Sequence, residues 1–328
     1  MEPSFHFMHR CNAHTGSNSR TGIAIDASPW QRSISKGADI VFEEKIHLLR
    51  LHRALRRFDN GNDFLMRHSV DDIVDRLGIV SQTFNEGAVL FERTNQASDP
   101  LINSGKVTHI TRIEEEWCMD PAHHTATPTL LNLDETSLDL VIAPLTLHWS
   151  NDLPGTLIQI NRSLRPNGLF LASLPGPDTL FELRQSLLEA ESEMTDGAAN
   201  RVDSFTDIRD AGSLLQRAGF SLPVVDQENL TVRYDSVFDL IRDLRGFGAT
   251  LHLEGVSNPP LTRSIVMRMA EIYAQKFADP DGRIRATFSF TSLSGWKPHE
   301  SQQKPLKPGS AKGRLADALK TEEIKLKG

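Results

Sequence analysis

The chain has 328 residues, is 39% hydrophobic and 24% charged, and carries a formal net charge of -7. That size allows one ordinary globular domain with an appendage, or two smaller domains. The acidic balance and the lack of a basic stripe interleaved with aromatics argue against nucleic acid as a partner, and no apolar run approaches the roughly 18 residues that a membrane span needs. The two cysteines, Cys11 and Cys118, match no metal or redox spacing.

Residues 1–40 are rich in Ser, Gly and Thr without a sustained period, and are expected to be a disordered extension. They lack the apolar core of a secretory signal; their sparse acids allow a transit-peptide reading, but arginines are few and no amphipathic face is evident, so a plain extension is the favoured expectation. From Phe42 to Phe58, "FEEKIHLLRLHRALRRF" has helical spacing, with acids leading and arginines trailing as the helix dipole prefers. A second helix is predicted in "VDDIVDRLGIV". Short strands are predicted at Val89–Phe91 and Lys106–Ile113, and His123-His124 read as loop.

The clearest strand is "SLDLVIAPL", a nearly continuous apolar run from Leu138 to Ala143 that suits burial on both faces of a parallel sheet. A helix follows, with Asn151 or Asp152 as N-cap and Leu153, Leu157, Ile160 and Leu164 on one face; Pro166-Asn167-Gly168 is expected to stop it. "LFLASL", Leu169 to Leu174, is the next buried strand, so the unit is βαβ and the class α/β with a parallel sheet. Helices at Asp178–Glu193 and Ile208–Ala218, a strand near Pro223–Asp226, and helices at Val237–Gly246 and Leu261–Phe277 come next. Arg285–Trp296 alternates as a late antiparallel strand. Residues 304–328, with six lysines, read as a basic, solvated tail.

The run from Ser137 to Gly176 resembles the fourth strand, fourth helix and fifth strand of class I S-adenosylmethionine (SAM)-dependent methyltransferases. Leu138-Asp139-Leu140-Val141 stands for the strand, Leu147-His148-Trp149 for its end, and Leu164-Arg165-Pro166-Asn167-Gly168 for the turn into the next strand. The pieces "LHWSNDLP", "PDTLFELRQSLLEAE", "FTDIRDAGSLLQRAGF", "DGRIRATF" and "GWKPHESQ" are similar to a narrower group, the BioC-like methyltransferases of alphaproteobacteria and mitochondrial relatives linked to assembly of respiratory complex I. The similarity covers about Phe42 to Lys312 and is densest after Leu138.

The resemblance implies a Rossmann-like class I methyltransferase fold over residues 41–303: a seven-stranded, mostly parallel sheet with helices on both faces. It also implies SAM across the carboxyl ends of the first, second and fourth strands, where open α/β sheets bind ligands. Such enzymes use a glycine-rich turn after strand one, an acid after strand two for the ribose hydroxyls, and an acid after strand three for adenine. Here "VLFERTNQAS" puts Phe91, Glu92, Arg93 and Thr94 where the first acid and the glycines belong. Glu114 or Glu115 stands for the ribose acid, and Thr127 for the adenine acid. Leu145, His148 and Trp149 line the mouth after strand four.

His148, and His299 with Glu300 in "GWKPHESQ", are candidates to orient an acceptor amine or carboxylate; hydrogen-bonded turns and packed rings are the plainer readings. His252 and Glu254 with His299 formally spell a two-His-one-carboxylate iron site. With 12 His and 43 acids, about one or two His-x-acid triplets arise by chance, so no metal is expected. Three functions follow from the resemblance: SAM-dependent methyl transfer to a small carboxylate or a protein side chain with a degenerate cofactor loop, a non-catalytic assembly factor of the same fold, or a protein-arginine hydroxylase-like factor for a complex I subunit. The implied location is the bacterial cytoplasm, or the mitochondrial matrix in a eukaryote.

Overall fold

The computed structural model describes residues 47, 49–51, 53, 54, 63–92, 96–115, 124–195, 197–199, 201, 202, 208–249 and 260–303. The expected extension at 1–40, the basic tail at 304–328, Cys118, and the pair His252 and Glu254 lie outside these residues. Of the expected first helix, residues 47, 49–51, 53 and 54 are described and are helical.

In chain order the elements are α1 (Phe64–Ile79), β1 (Phe84–Leu90), α2 (Ser98–Asn103), β2 (Val107–Glu115), β3 (His124–Ala126) and β4 (Leu138–Pro144). A 3-10 turn (Leu147–Trp149) leads to α3 (Leu153–Ser163), β5 (Leu164–Pro175), α4 (Phe181–Met194) and α5 (Ile208–Arg217). The chain continues through β6 (Ser221–Tyr234), α6 (Val237–Gly246), α7 (Arg263–Phe277) and β7 (Ile284–Trp296). The strands form one seven-stranded sheet in the order β3-β2-β1-β4-β5-β7-β6. The first five run parallel, and β7 lies antiparallel to both of its neighbours. This is the Rossmann-like methyltransferase fold that the resemblance implies.

The layers follow from alternation along β4. Leu140 and Ile142 pack with Leu169 and Leu171 under Val70, Ile73 and Leu77 of α1. Val141 and Ala143 face the other way, with Phe170 and Ala172, under Leu157 and Ile160 of α3 and Leu215 of α5. Both faces of the strand are covered, which is why its sequence is apolar without a break. A third core joins α4, α6 and α7 to the first half of β7 through Leu183, Leu240, Tyr273 and Phe288.

Several boundaries move. The helix expected to run to Pro166 ends at Ser163, and the chain is extended from Leu164 because that residue already pairs with Leu138 of β4. Pro166-Asn167-Gly168 is a register shift inside β5, with Asn167 in the left-handed region (φ 64), not a stop before it. A Cβ on Gly168 would stand 2.8 Å from the Arg165 carbonyl oxygen, so glycine is required there. β6 extends to Tyr234, well beyond the expected Asp226, because it pairs with β7 along its length; its polar centre is tolerated at a sheet edge. His124, expected in a loop, opens the short strand β3 beside β2.

At the amino end of the sheet Asp139 joins three strands. It accepts hydrogen bonds from Asn85 N (3.1 Å), Glu86 N (3.0 Å) and Arg165 Nη1 (3.0 Å). Burial opposes its ionised form, but the Glu86 amide and the Arg165 guanidinium outweigh that and hold the carboxyl below its usual range. The unfolded chain therefore binds the proton more readily than the folded one. The stabilisation is fully present above the ordinary aspartate value and is lost as pH falls through the depressed one. Melting temperatures followed downward from about pH 5 are expected to fall less steeply in Asp139→Asn than in the parent; equal slopes would show that the carboxylate is not so held.

Candidate functional site: the carboxyl rim of the sheet

The carboxyl ends of β1, β2, β4 and β5 form one rim, the place where open α/β sheets take ligands. Three non-glycine residues near it adopt left-handed backbone: Phe91 (φ 56) after β1, Leu145 (φ 52) after β4, and Leu180 (φ 55) beyond β5. Such conformations cost about 1–3 kcal/mol each and persist where the surroundings impose them. Phe91 N donates to Ile113 O at 2.7 Å, and Leu145 N to Ser173 O at 2.9 Å, so neighbouring strands fix both turns.

After β1 the chain turns Glu92 inward. Its carboxylate is buried and accepts hydrogen bonds from Ala97 N (2.6 Å), Ser98 N (3.0 Å) and the Ser98 hydroxyl. Arg112, on β2, reaches the same point. Its Nη2 lies 2.6 Å from Glu114 Oε1 and 3.3 Å from the Glu92 carbonyl oxygen, and its Nε 3.8 Å from Glu92 Oε2. Arg112 and Glu114 are two apart on a strand and so share one face. Glu114, the expected ribose partner, is 5% exposed and turned toward this arginine. Arg93 and Thr94 lie outside the described residues, as does the side chain of Glu115. Thr127 closes a small turn: its hydroxyl accepts from Leu130 N at 3.0 Å.

After β4, Leu145 packs against the third core, and the 3-10 turn presents His148 and Trp149. The two rings lie 4.1 Å apart, and His47, from the N-terminal helical residues, lies 4.8 Å from Trp149 on centroid distance. His47 and Trp149 are both buried. The hydroxyls of Thr146, Ser173 and Thr291 are buried at this rim with no hydrogen-bond partner among the described residues, a property of groups that meet water or ligand.

The rim brings together Glu114, Leu145, His148 and Trp149 of the expected set. It does not include His299 and Glu300. Because β7 is antiparallel, its end at Trp296 pairs with Leu169 near the start of β5, and the following residues lie at the opposite rim. There His299 Nδ1 sits 2.8 Å from Ser301 Oγ and 3.2 Å from Asn167 Nδ2, bracing an exposed turn. Strand direction thus separates His299 and Glu300 from His148. Among the described residues no group of three or more His, Cys, Asp or Glu could hold a metal.

Sequence reading missed His47, which needed the tertiary contact to be found. It also missed Arg112, whose spacing from Glu114 was a visible signal.

The family model described as "Methyltransferase domain" matches residues 110–172, from β2 through β5. Over 317 residues the chain is 30% identical to the mouse protein named arginine-hydroxylase NDUFAF5, mitochondrial, covering 94% of this chain and 92% of that one. The chain belongs to the NDUFAF5 family of methyltransferase-fold proteins. The Dictyostelium discoideum NDUFAF5 is 42% identical over 193 residues, which span 58% of this chain but only 44% of that longer protein. A malonyl-[acyl-carrier protein] O-methyltransferase of Gallionella capsiferriformans is 34% identical over 168 residues, 51% of this chain and 55% of that one. The matches to NDUFAF5 proteins span from 55% to 95% of this chain, and those to the O-methyltransferases from 51% to 60%. None of the described helices is long and apolar enough to cross a membrane.

Proposed function

We propose that this chain is directed at a protein side chain, an arginine in the manner of the NDUFAF5 name, and that the adenosyl end of its crevice is remodelled so that methyl transfer from SAM is not its principal activity. The observation that carries the proposal is the cluster of Glu92, Arg112 and Glu114. A bound SAM needs close backbone approach after β1 and an accessible acid after β2. Here Phe91 is buried at the first point and Glu114 faces an arginine at the second. The higher identity to the NDUFAF5 proteins, 42% against 34% for the O-methyltransferase, supports a protein rather than an acyl thioester as the acceptor. A subunit of respiratory complex I is the partner that the family resemblance suggests.

The second reading, a SAM-dependent methyltransferase with an unusual cofactor turn, is favoured by the methyltransferase-domain match over residues 110–172. Calorimetric titration with SAM and with S-adenosylhomocysteine separates the two, after mass spectrometry has excluded co-purified ligand. No heat at millimolar ligand is the expected result. Micromolar binding, about -8 kcal/mol, would overturn the proposal and put the methyltransferase reading first.

A further inference from the structure

The cluster at the ends of β1 and β2 has the form of an internal blockade. Glu92 and Glu114 carry buried carboxylates whose side chains are 2% and 7% exposed, and the Arg112 guanidinium reaches both. A carboxylate that accepts the vicinal hydroxyls of a ribose must present two lone pairs toward the ligand. Glu114 is instead packed against its own strand neighbour.

We propose that Arg112 is an autoinhibitory plug: its guanidinium, clamped between Glu92 and Glu114, holds the ribose-accepting acid of the crevice closed against adenosyl ligands. This rests on the reading that the adenosyl end is remodelled, and it names the residue responsible. Arg112 is held by a 2.6 Å ion pair to Glu114 and a longer one, 3.8 Å, to Glu92, and opening the short pair leaves Glu114 as an uncompensated buried charge. The open form is therefore rare in the resting protein, and any ligand that needs it binds more weakly in proportion to that rarity. The arrangement also makes the plug displaceable. A partner that offered Arg112 another acidic group would release Glu114 without leaving the arginine unpaired.

The test is S-adenosylhomocysteine binding by calorimetry on the full chain and on the double variant Glu92→Gln/Arg112→Met. The introduced glutamine retains an oxygen for the Ala97 and Ser98 amides, and the introduced methionine fills the space of the arginine stem, so Glu114 is the one carboxylate released. Circular dichroism melts establish that both proteins are folded. The double variant is expected to bind at least ~100-fold more tightly than the parent. Glu92→Gln alone, which leaves the pair of Arg112 with Glu114 in place, is expected to gain less than about 3-fold. Parent and double variant both failing to bind would overturn the plug while leaving the remodelled-crevice reading intact. Micromolar binding by the parent would overturn both. Equal gains in the double and the single variant would move the blockade from Arg112 to Glu92 and overturn the assignment. Should the double variant not fold, Arg112→Lys takes its place: its point charge cannot span both carboxylates. A gain of about 10-fold is then expected, and no gain in that folded variant overturns the plug.

Discussion

Trp149→Ala is expected to lower stability by about 3–5 kcal/mol, the usual cost of truncating a large aromatic side chain in a packed site. Trp149 is 8% exposed and packs against both His148 and His47. Its removal both opens a cavity and deletes the ring against which His47 packs. The urea midpoint should drop with an unchanged slope, as for a loss of packing without change in the denatured chain. Amide exchange at residues 47 and 49–51 should rise by more than the global loss requires, because those residues lose a local anchor. Trp149→Phe keeps a ring in place and should retain most of the stability. A midpoint near that of the parent for the alanine variant would show that the rim is not packed as described.

Gly176→Ala is the second large effect, and it concerns the segment that follows β5. Gly176 lies between Pro175 and Pro177, and its N–H donates to Ser289 O at 2.8 Å. A Cβ built there would collide with Ser289 Oγ and stand 3.0 Å from Thr291 Oγ1. Three residues on, the Thr179 hydroxyl donates to Ser289 O (3.0 Å) and accepts from Ser289 N (3.1 Å). Glu182 accepts from Thr287 N (3.1 Å) and Thr287 Oγ1 (2.6 Å). The segment is thus bolted to β7 at successive points, and one added methyl displaces it as a unit. A loss of about 1–3 kcal/mol is expected from overpacking. Ser289→Ala removes the colliding oxygen, which has no hydrogen-bond partner among the described residues, so it should cost little alone and recover part of the loss in the double variant. The coupling in that cycle should reach about 0.5–3 kcal/mol. Strict additivity of the two single changes would mean that the loop yields without meeting Ser289.

How much of the site was legible depended on distance along the chain. His148 and Trp149 could be placed because the strand before them is an unbroken apolar run and the helix after them carries its own N-cap: Asp152 accepts from Gly155 N at 2.9 Å. Both signals lie within one βαβ unit. Arg112 and Glu114 were legible as a same-face pair, but nothing in "THITRIEE" says that Glu92, twenty residues earlier, turns in to meet them. His47 lies about a hundred residues before Trp149, and neither ring's sequence neighbourhood points to the other.

His299 and Glu300 show the converse. Their composition, an imidazole and a carboxylate beside a tryptophan and a lysine, suits a catalytic cluster. The antiparallel direction expected for Arg285–Trp296 takes them to the opposite end of the sheet, a consequence that their composition does not carry. The short strand β3 was missed for a related reason, since three residues hold no period and exist as a strand through their pairing with β2.

The sequence by itself determined the α/β class, the order of strands and helices from β4 onward, and the family, because these rest on local periodicity, caps and contiguous motifs. The antiparallel last strand was already expected from its alternation, whereas the tertiary structure decided which residues share the rim and that Arg112 reaches two buried acids. Those facts depend on the packing of segments far apart in the chain, where burial and charge pairing are set by neighbours that no local window contains.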